Sequence, residues 1–186
     1  MHYYIIGING SGKTTLLNAI SAQTGIAAVQ GTQELMKTLG IANDYDALRN
    51  MDQSDVLVKW GETAKRLLEA YGNTPFLLDT HILNLANGKI IRRDGAWIAD
   101  YDALVMVKAN PATILARIDH DTKNRALFTL DFDKSAKLAL LTEYQEMSEK
   151  LFHELAKKYN LPSKVIQNDV LDKAVASFLE FNASLR

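Results

Sequence analysis

Gly7-Ile8-Asn9-Gly10-Ser11-Gly12-Lys13-Thr14-Thr15 decides the fold. Its first eight residues follow the pattern G-x-x-x-x-G-K-[ST], the phosphate-binding P-loop. Backbone N–H groups that wrap a polyphosphate need φ angles that glycine adopts cheaply. Lys13 is the residue that reaches the outer phosphates, and the Thr14 hydroxyl is placed to ligate Mg²⁺. Tyr3-Tyr4-Ile5-Ile6 before the motif reads as a buried strand. Thr15-Leu16-Leu17-Asn18-Ala19-Ile20 after it is apolar at helical spacing. A strand, a glycine turn and a helix N-terminus together favour bound phosphate, because the helix dipole points its positive end at the anion.

Working outward, short apolar runs alternate with helical patterns. Tyr3–Ile6, Ile26–Val29, Phe76–Leu78, Ala103–Val107 and Lys164–Ile166 read as strands. Thr14–Ala22, Thr32–Leu39, Ser54–Ala70, Pro111–Ile118, Phe132–Tyr159 and Leu171–Phe181 read as helices. This alternation predicts the α/β class: a three-layer α/β/α P-loop NTPase fold around a five-stranded, mainly parallel sheet. Residues 1–186 read as one domain. The stretches 43–50, 84–101 and 120–131 are polar and show the weakest sign of regular structure. Two of them follow strands, where open α/β sheets bind ligands.

Composition narrows the class. The 186 residues are 47% hydrophobic and 23% charged, with net charge −1 and no cysteine. Disulfides and thiolate chemistry are excluded, and nucleic acid is not an expected partner. No apolar run reaches the ~18 residues of a membrane span, and no signal peptide precedes the first strand, so the expected setting is cytoplasmic.

Phe76-Leu77-Leu78-Asp79 is an apolar strand ending in a carboxylate, suited to hold Mg²⁺ beside Thr14. No Glu follows Asp79; Thr80 and His81 do. Motor-type P-loop ATPases usually activate water with a carboxylate there, so a phosphotransferase is favoured. In such an enzyme positioning and electrostatics dominate. The transferred group then needs cationic clamps. Arg49, Arg92, Arg93, Arg117 and Arg125 are the candidates outside the loop. Asn110-Pro111 caps the helix that ends at Arg117. The polar run after Arg117 has the character of a mobile lid. Trp60 shares its helical spacing with Leu57, Ala64 and Leu67, which predicts a core residue.

The order P-loop, Gly31-Thr32, Asp46-Ala47-Leu48-Arg49, Asp79-Thr80-His81, Asn110-Pro111, Arg117, Asp121 and Asn168 resembles the archaeal-type adenylate kinases, members of the P-loop nucleoside monophosphate kinases. The resemblance spans nearly the full chain, and Asp-Thr-His is its most family-specific piece. It implies a monophosphate-binding helical segment at 31–72 and a short lid at 119–128. It implies ATP and Mg²⁺, with Gly7, Asn9, Gly10, Ser11, Gly12, Lys13, Thr14 and Thr15 on the donor phosphates and Asn168 near the donor adenine. Gly31, Thr32 and Arg49 would take the acceptor, while His81, by residue type, suits orienting a substrate phosphate or a surface or core position. Lys13, Arg117, Arg125 and Asp79 would serve the transfer, with Thr14 and Asp79 on the metal. The lid carries fewer arginines than the family's, and Trp60 stands where a glutamine is expected. Partners would be small nucleotides, and family members include trimers, so a homo-oligomer fits the resemblance. AMP is the first expected acceptor. Two readings stay open beside it. One is a P-loop kinase for a nucleoside or hydroxyl metabolite, needing a carboxylate base such as Asp79, Glu34 or Asp46. The other is a nucleotide-dependent switch or assembly ATPase.

Overall fold

Tyr3-Tyr4-Ile5-Ile6 lies at the centre of the sheet, in β1 (His2–Ile6). Successive side chains of a strand point to opposite faces, and here both faces are covered. Tyr3 and Ile5 join one apolar cluster with Leu16, Leu17, Ile20 and Phe178, while Tyr4 and Ile6 join the other with Met36, Trp60, Ile114 and Leu141. A strand buried on both sides reads as a continuous apolar run rather than an alternating one.

The computed structural model describes residues 1–42, 44–86, 89–120 and 132–185, with backbone alone at 49, 85, 86 and 89. The remaining strands of the main sheet are β2 (Ala27–Gln30), β3 (Phe76–Asp79), β6 (Ala103–Lys108) and β7 (Ser163–Gln167). Their order is β2-β3-β1-β6-β7, and every pairing is parallel. Helices α1 (Lys13–Thr24) and α7 (Leu171–Ser184) cover one face. The other face carries α2 (Gly31–Thr38), α3 (Tyr45–Asn50), α4 (Gln53–Tyr71), α5 (Pro111–Asp119) and α6 (Lys134–Tyr159). The five-stranded α/β/α expectation therefore holds. Register sets the site: Ile5 is paired with Asp79, and the Thr80 N–H donates to the Ile5 carbonyl at 2.9 Å. The residues after β1 and β3 thus emerge side by side.

Two of the three stretches expected to lack regular structure differ from that expectation, and the third, 120–131, lies outside the described residues apart from His120. Asp44 accepts from the Ala47 N–H and starts α3, a helix too short to show a period. Leu83–Ala86 (β4) and Lys89–Arg92 (β5) pair antiparallel, and Ala96–Asp100 forms a 3₁₀ turn. The hairpin signal was present in Asn87-Gly88, a pair suited to two-residue turns, between two runs containing Leu and Ile. Smaller shifts have local causes. Helix α6 begins at Lys134 rather than Phe132 because Asp133 caps it, accepting from the Ala136 N–H.

Trp60 is a core residue, 6% exposed, as its spacing predicts. Its Nε1–H donates to the Tyr4 hydroxyl at 3.0 Å, and Trp97 Nε1–H donates to the same oxygen at 3.3 Å. Burial raises the Tyr4 pKa, so that hydroxyl stays neutral. Gly31 packs under this group. A Cβ there would lie 2.4 Å from Trp60 Cη2 and 2.7 Å from the Asp79 carbonyl. Close approach of α2 to β3 is sufficient reason for a glycine at 31.

Candidate active site

Helix α1 starts without a side-chain cap. Gly12 occupies the N-cap at φ 84°, and no acidic residue lies in the first turn. Four N–H groups at a helix start lack intrahelical partners, so this end is disposed toward an anion. Gly10 (φ +81°) and Gly12 (φ +84°) take the left-handed conformation that turns successive amides inward. The neighbouring Ser11 Oγ is buried with no hydrogen-bond partner among the described residues. An uncapped helix and a glycine cradle fit a polyphosphate.

A cleft of about 360 Å³ opens over this loop. Asn9, Gly10, Gly12, Lys13, Thr14, Thr15, Asp79, His81, Arg117, Ile118, Asn168 and Leu171 line it. Lys13 is 6% exposed; its Nζ donates to the Gly7 carbonyl at 2.7 Å and lies 3.9 Å from Asp79 Oδ1. His81 Nδ1 lies 2.8 Å from the same Gly7 oxygen. The same Nδ1 lies 3.4 Å from Lys13 Nζ. His81 thus braces the start of the loop from the end of β3.

The Thr14 hydroxyl donates to Asp79 Oδ2 at 2.7 Å. These are hard oxygen donors of the kind Mg²⁺ takes. Among the described residues no cluster of three His, Cys, Asp or Glu could cage a metal. Mg²⁺ suits such a sparse donor set, because it is usually held by one or two protein oxygens together with substrate phosphates.

At the other end of the cleft, Arg117 Nη1 donates to the Ser11 carbonyl at 3.1 Å, and Nη2 donates to the Asn168 carbonyl at 2.7 Å. Asn168 Nδ2 donates to the same Ser11 carbonyl at 2.9 Å. Two elements hold this pair in place. Asn110 caps α5, accepting from the Ala112 N–H, with Pro111 in the first turn. Asp169 accepts from the Asn110 N–H at 2.9 Å, tying the loop after β7 to the start of α5. Hydrogen bonds, led by Gln167, lower the Asp169 pKa and keep it ionised.

The structure thus brings Lys13, Thr14, Asp79, His81, Arg117 and Asn168 to one cleft. Arg117 lies with Asn168 on the carbonyl side of the loop. Gly31 and Thr32 are not among the cleft-lining residues; Gly31 is buried beneath Trp60. Arg49 lies on α3, described by its backbone, and Arg125 with most of the 119–128 lid falls outside the described residues. Ile118 and Leu171 were not anticipated. They add apolar wall to the cleft, and a helical apolar position carries no sequence mark separating it from core.

Gly12→Ala tests the cradle. A Cβ at 12 would meet Asn168 Nδ2 at 2.6 Å and Arg117 Nη1 at 3.0 Å, at a φ that L-residues avoid. The left-handed backbone alone costs roughly 1–2 kcal/mol. We expect a lower melting temperature and nucleotide affinity weakened by roughly tenfold or more, measured by calorimetry. Unchanged affinity would show that the cradle is not the binding element.

A family model described as an AAA domain matches residues 6–130. No curated protein matches the sequence. Among solved structures, shikimate kinase from Bacteroides thetaiotaomicron is similar at TM-score 0.70 and 10% identity, covering 100% of this chain and 98% of that one. Shikimate kinase from Acinetobacter baumannii in complex with shikimate follows at TM-score 0.63 and 16% identity, covering 98% and 93%. Deoxyadenosine kinase from M. mycoides, with products dCMP and dCDP bound, has TM-score 0.61 and 14% identity, covering 99% and 100%. At such identities the likeness is one of fold, the P-loop kinase fold over the whole chain. With the family model spanning the loop, β3 and α5, the chain belongs to the AAA domain family.

Proposed function

We propose that this chain is an ATP-dependent phosphotransferase that moves the γ-phosphoryl group to a small acceptor, a nucleoside monophosphate and first of all AMP. The observation that carries the reading is the Thr14–Asp79 pair beside Lys13, in a cleft where Thr80 and His81 follow Asp79. Neither follower is a carboxylate that could activate water. Similarity of fold to shikimate and deoxyadenosine kinases supports small-molecule transfer in general.

The charge of the cleft supports the monophosphate acceptor. Among its described lining residues Asp79 is the one carboxylate, and it accepts from Thr14. A hydroxyl acceptor needs a base to take its proton. A phosphate monoester loses its second proton near pH 6, so at neutral pH its oxygens attack without a base.

In this reading the Gly7–Thr15 loop and the start of α1 bind the donor phosphates. Lys13 leaves the Gly7 carbonyl to meet the outer phosphates, and His81 keeps that carbonyl hydrogen-bonded. Thr14 and Asp79 would hold Mg²⁺, which supplies charge neutralisation across the donor phosphates. Arg117 and Asn168 fix the loop from the side that would face the adenine. Arg49 and the lid that includes Arg125 would approach from the acceptor side and exclude water, since an open site would hydrolyse ATP.

The test is incubation with ATP·Mg²⁺ and each nucleoside monophosphate in turn, with diphosphate products read by chromatography. Acceptor-dependent formation of two diphosphates is expected, fastest with AMP. Slow, acceptor-independent release of phosphate would replace the proposal with a switch ATPase. Turnover with shikimate or a nucleoside alone would replace it with a hydroxyl kinase.

A further inference from the structure

Two adjacent arginines at the base of the β4–β5 hairpin have opposite surroundings. Arg92 is exposed and forks onto Asp94, Nε to Oδ1 at 2.8 Å and Nη2 to Oδ2 at 2.9 Å. That pair is neutralised at the surface and carries little. Arg93 turns inward. Its N–H donates to the Ile82 carbonyl at 2.7 Å, and its Nη2 donates to Gln53 Oε1 at 2.6 Å. Among the described residues no carboxylate lies within the 4.0 Å of an ion pair with Arg93. Desolvation by burial lowers the pKa of its guanidinium, and the charge interaction with the Tyr144 phenol opposes that shift. Arginine nevertheless stays charged in proteins. A half-buried cation with a neutral amide as its side-chain partner has donors to spare, and no counter-charge among the described residues offsets its desolvation.

Its position matters as much as its charge. Ile82, which fixes the Arg93 backbone, directly follows His81, a lining residue of the donor cleft. Gln53 opens α4, just after the helix that carries Arg49. Gln53 Nε2–H donates to the Met51 carbonyl at 3.0 Å, which turns its Oε1 toward Arg93. Arg93 therefore stands where the 31–72 segment meets the chain leaving β3, past the His81 end of the cleft. Arg117 and Asn168 occupy the other end.

We propose that Arg93 anchors the anionic group of the acceptor, the phosphate of a nucleotide or the carboxylate of a hydroxy acid. A guanidinium fork matches either group bidentately. Gln53 is a positioning residue that holds one arm of the fork and leaves the other for the ligand. The inference rests on the phosphotransferase reading for the identity of the ligand as an acceptor.

The test separates binding from turnover. AMP and shikimate are titrated by calorimetry into the full chain and into Arg93→Met and Arg93→Lys. Adenosine and methyl shikimate serve as uncharged counterparts. The wild type is expected to bind one of the two anions, which identifies the source of the charge. Arg93→Met should weaken that anion roughly 10- to 100-fold, leave its uncharged counterpart unchanged, and leave binding of a non-hydrolysable ATP analogue unchanged. Arg93→Lys should recover part of the loss. The inference is overturned if the wild type binds neither anion, if Arg93→Met binds the anion as the wild type does, or if the uncharged counterpart weakens equally. Acceptor-dependent turnover is measured separately. Its absence in a wild type that binds the anion through Arg93 would overturn the phosphotransferase reading and leave the anion site standing.

Discussion

Lys13→Ala is expected to lower phosphoryl transfer by at least ~10³-fold while the protein stays folded. The loss of rate is electrostatic in origin. Lys13 Nζ is buried between the Gly7 carbonyl at 2.7 Å and Asp79 Oδ1 at 3.9 Å, so its charge is fixed in direction and poorly screened. A preorganised cation in such a place is worth far more than one in water. Each tenfold in rate is about 1.4 kcal/mol, so the expected loss is roughly 4 kcal/mol of transition-state stabilisation. Folding is retained because α1 keeps its apolar contacts. Its packing comes from Leu16, Leu17 and Ile20, each at most 2% exposed, and none of them changes. Removing Lys13 also removes a buried cation, whose desolvation offsets part of its attraction to Asp79. The measurements are kcat with the preferred acceptor and the thermal midpoint of the variant. Full activity in a folded Lys13→Ala protein would sink the donor-site assignment.

The fraction of this site legible in the sequence follows from how local each piece is. Gly7–Thr15 is contiguous, and its chemistry and conformation are both written in residue types. Asp79 was readable because a strand of three apolar residues ends on it; the register Ile5 with Asp79 then brings it to Thr14. Trp60 was readable as core from its helical period. Arg93 was not. Its significance lies in a partner 40 residues away and in the lack, among the described residues, of a carboxylate within ion-pair distance, and neither shows in the Arg-Arg-Asp-Gly stretch around it. Gly31 is assigned to the acceptor by resemblance alone; its steric need for a glycine, with Trp60 Cη2 2.4 Å from where a Cβ would lie, shows only in the packing. The α3 helix has one buried side chain among its described residues, Leu48, too few to show a period. Short elements carried by caps and tertiary contacts lie below what periodicity can report.

Asp79→Asn is expected to separate the metal from the loop. Asparagine keeps an oxygen that can accept from the Thr14 hydroxyl, so the 2.7 Å contact and the end of β3 are preserved. What it loses is the negative charge. In the free protein that charge faces Lys13 at 3.9 Å, and its removal weakens the hold on the ammonium without leaving a buried donor unpaired, since Lys13 still donates to Gly7. The fold should therefore change little, with a melting temperature within a few degrees of wild type. Divalent-cation dependence should change greatly. A hard cation between protein and phosphates depends on anionic oxygens, and a neutral amide supplies a weaker one. We expect at least tenfold more Mg²⁺ to be needed for half-maximal rate, and kcat at saturating Mg²⁺ lower by about 10²- to 10³-fold, roughly 3–4 kcal/mol. Binding of nucleotide without metal should be retained or strengthened, because a negative charge near the phosphates is gone. This pattern differs from that of Lys13→Ala, which should weaken transfer at every Mg²⁺ concentration. If Asp79→Asn shows a wild-type Mg²⁺ requirement, the carboxylate holds Thr14 and Lys13 for structural reasons, and the metal site lies elsewhere.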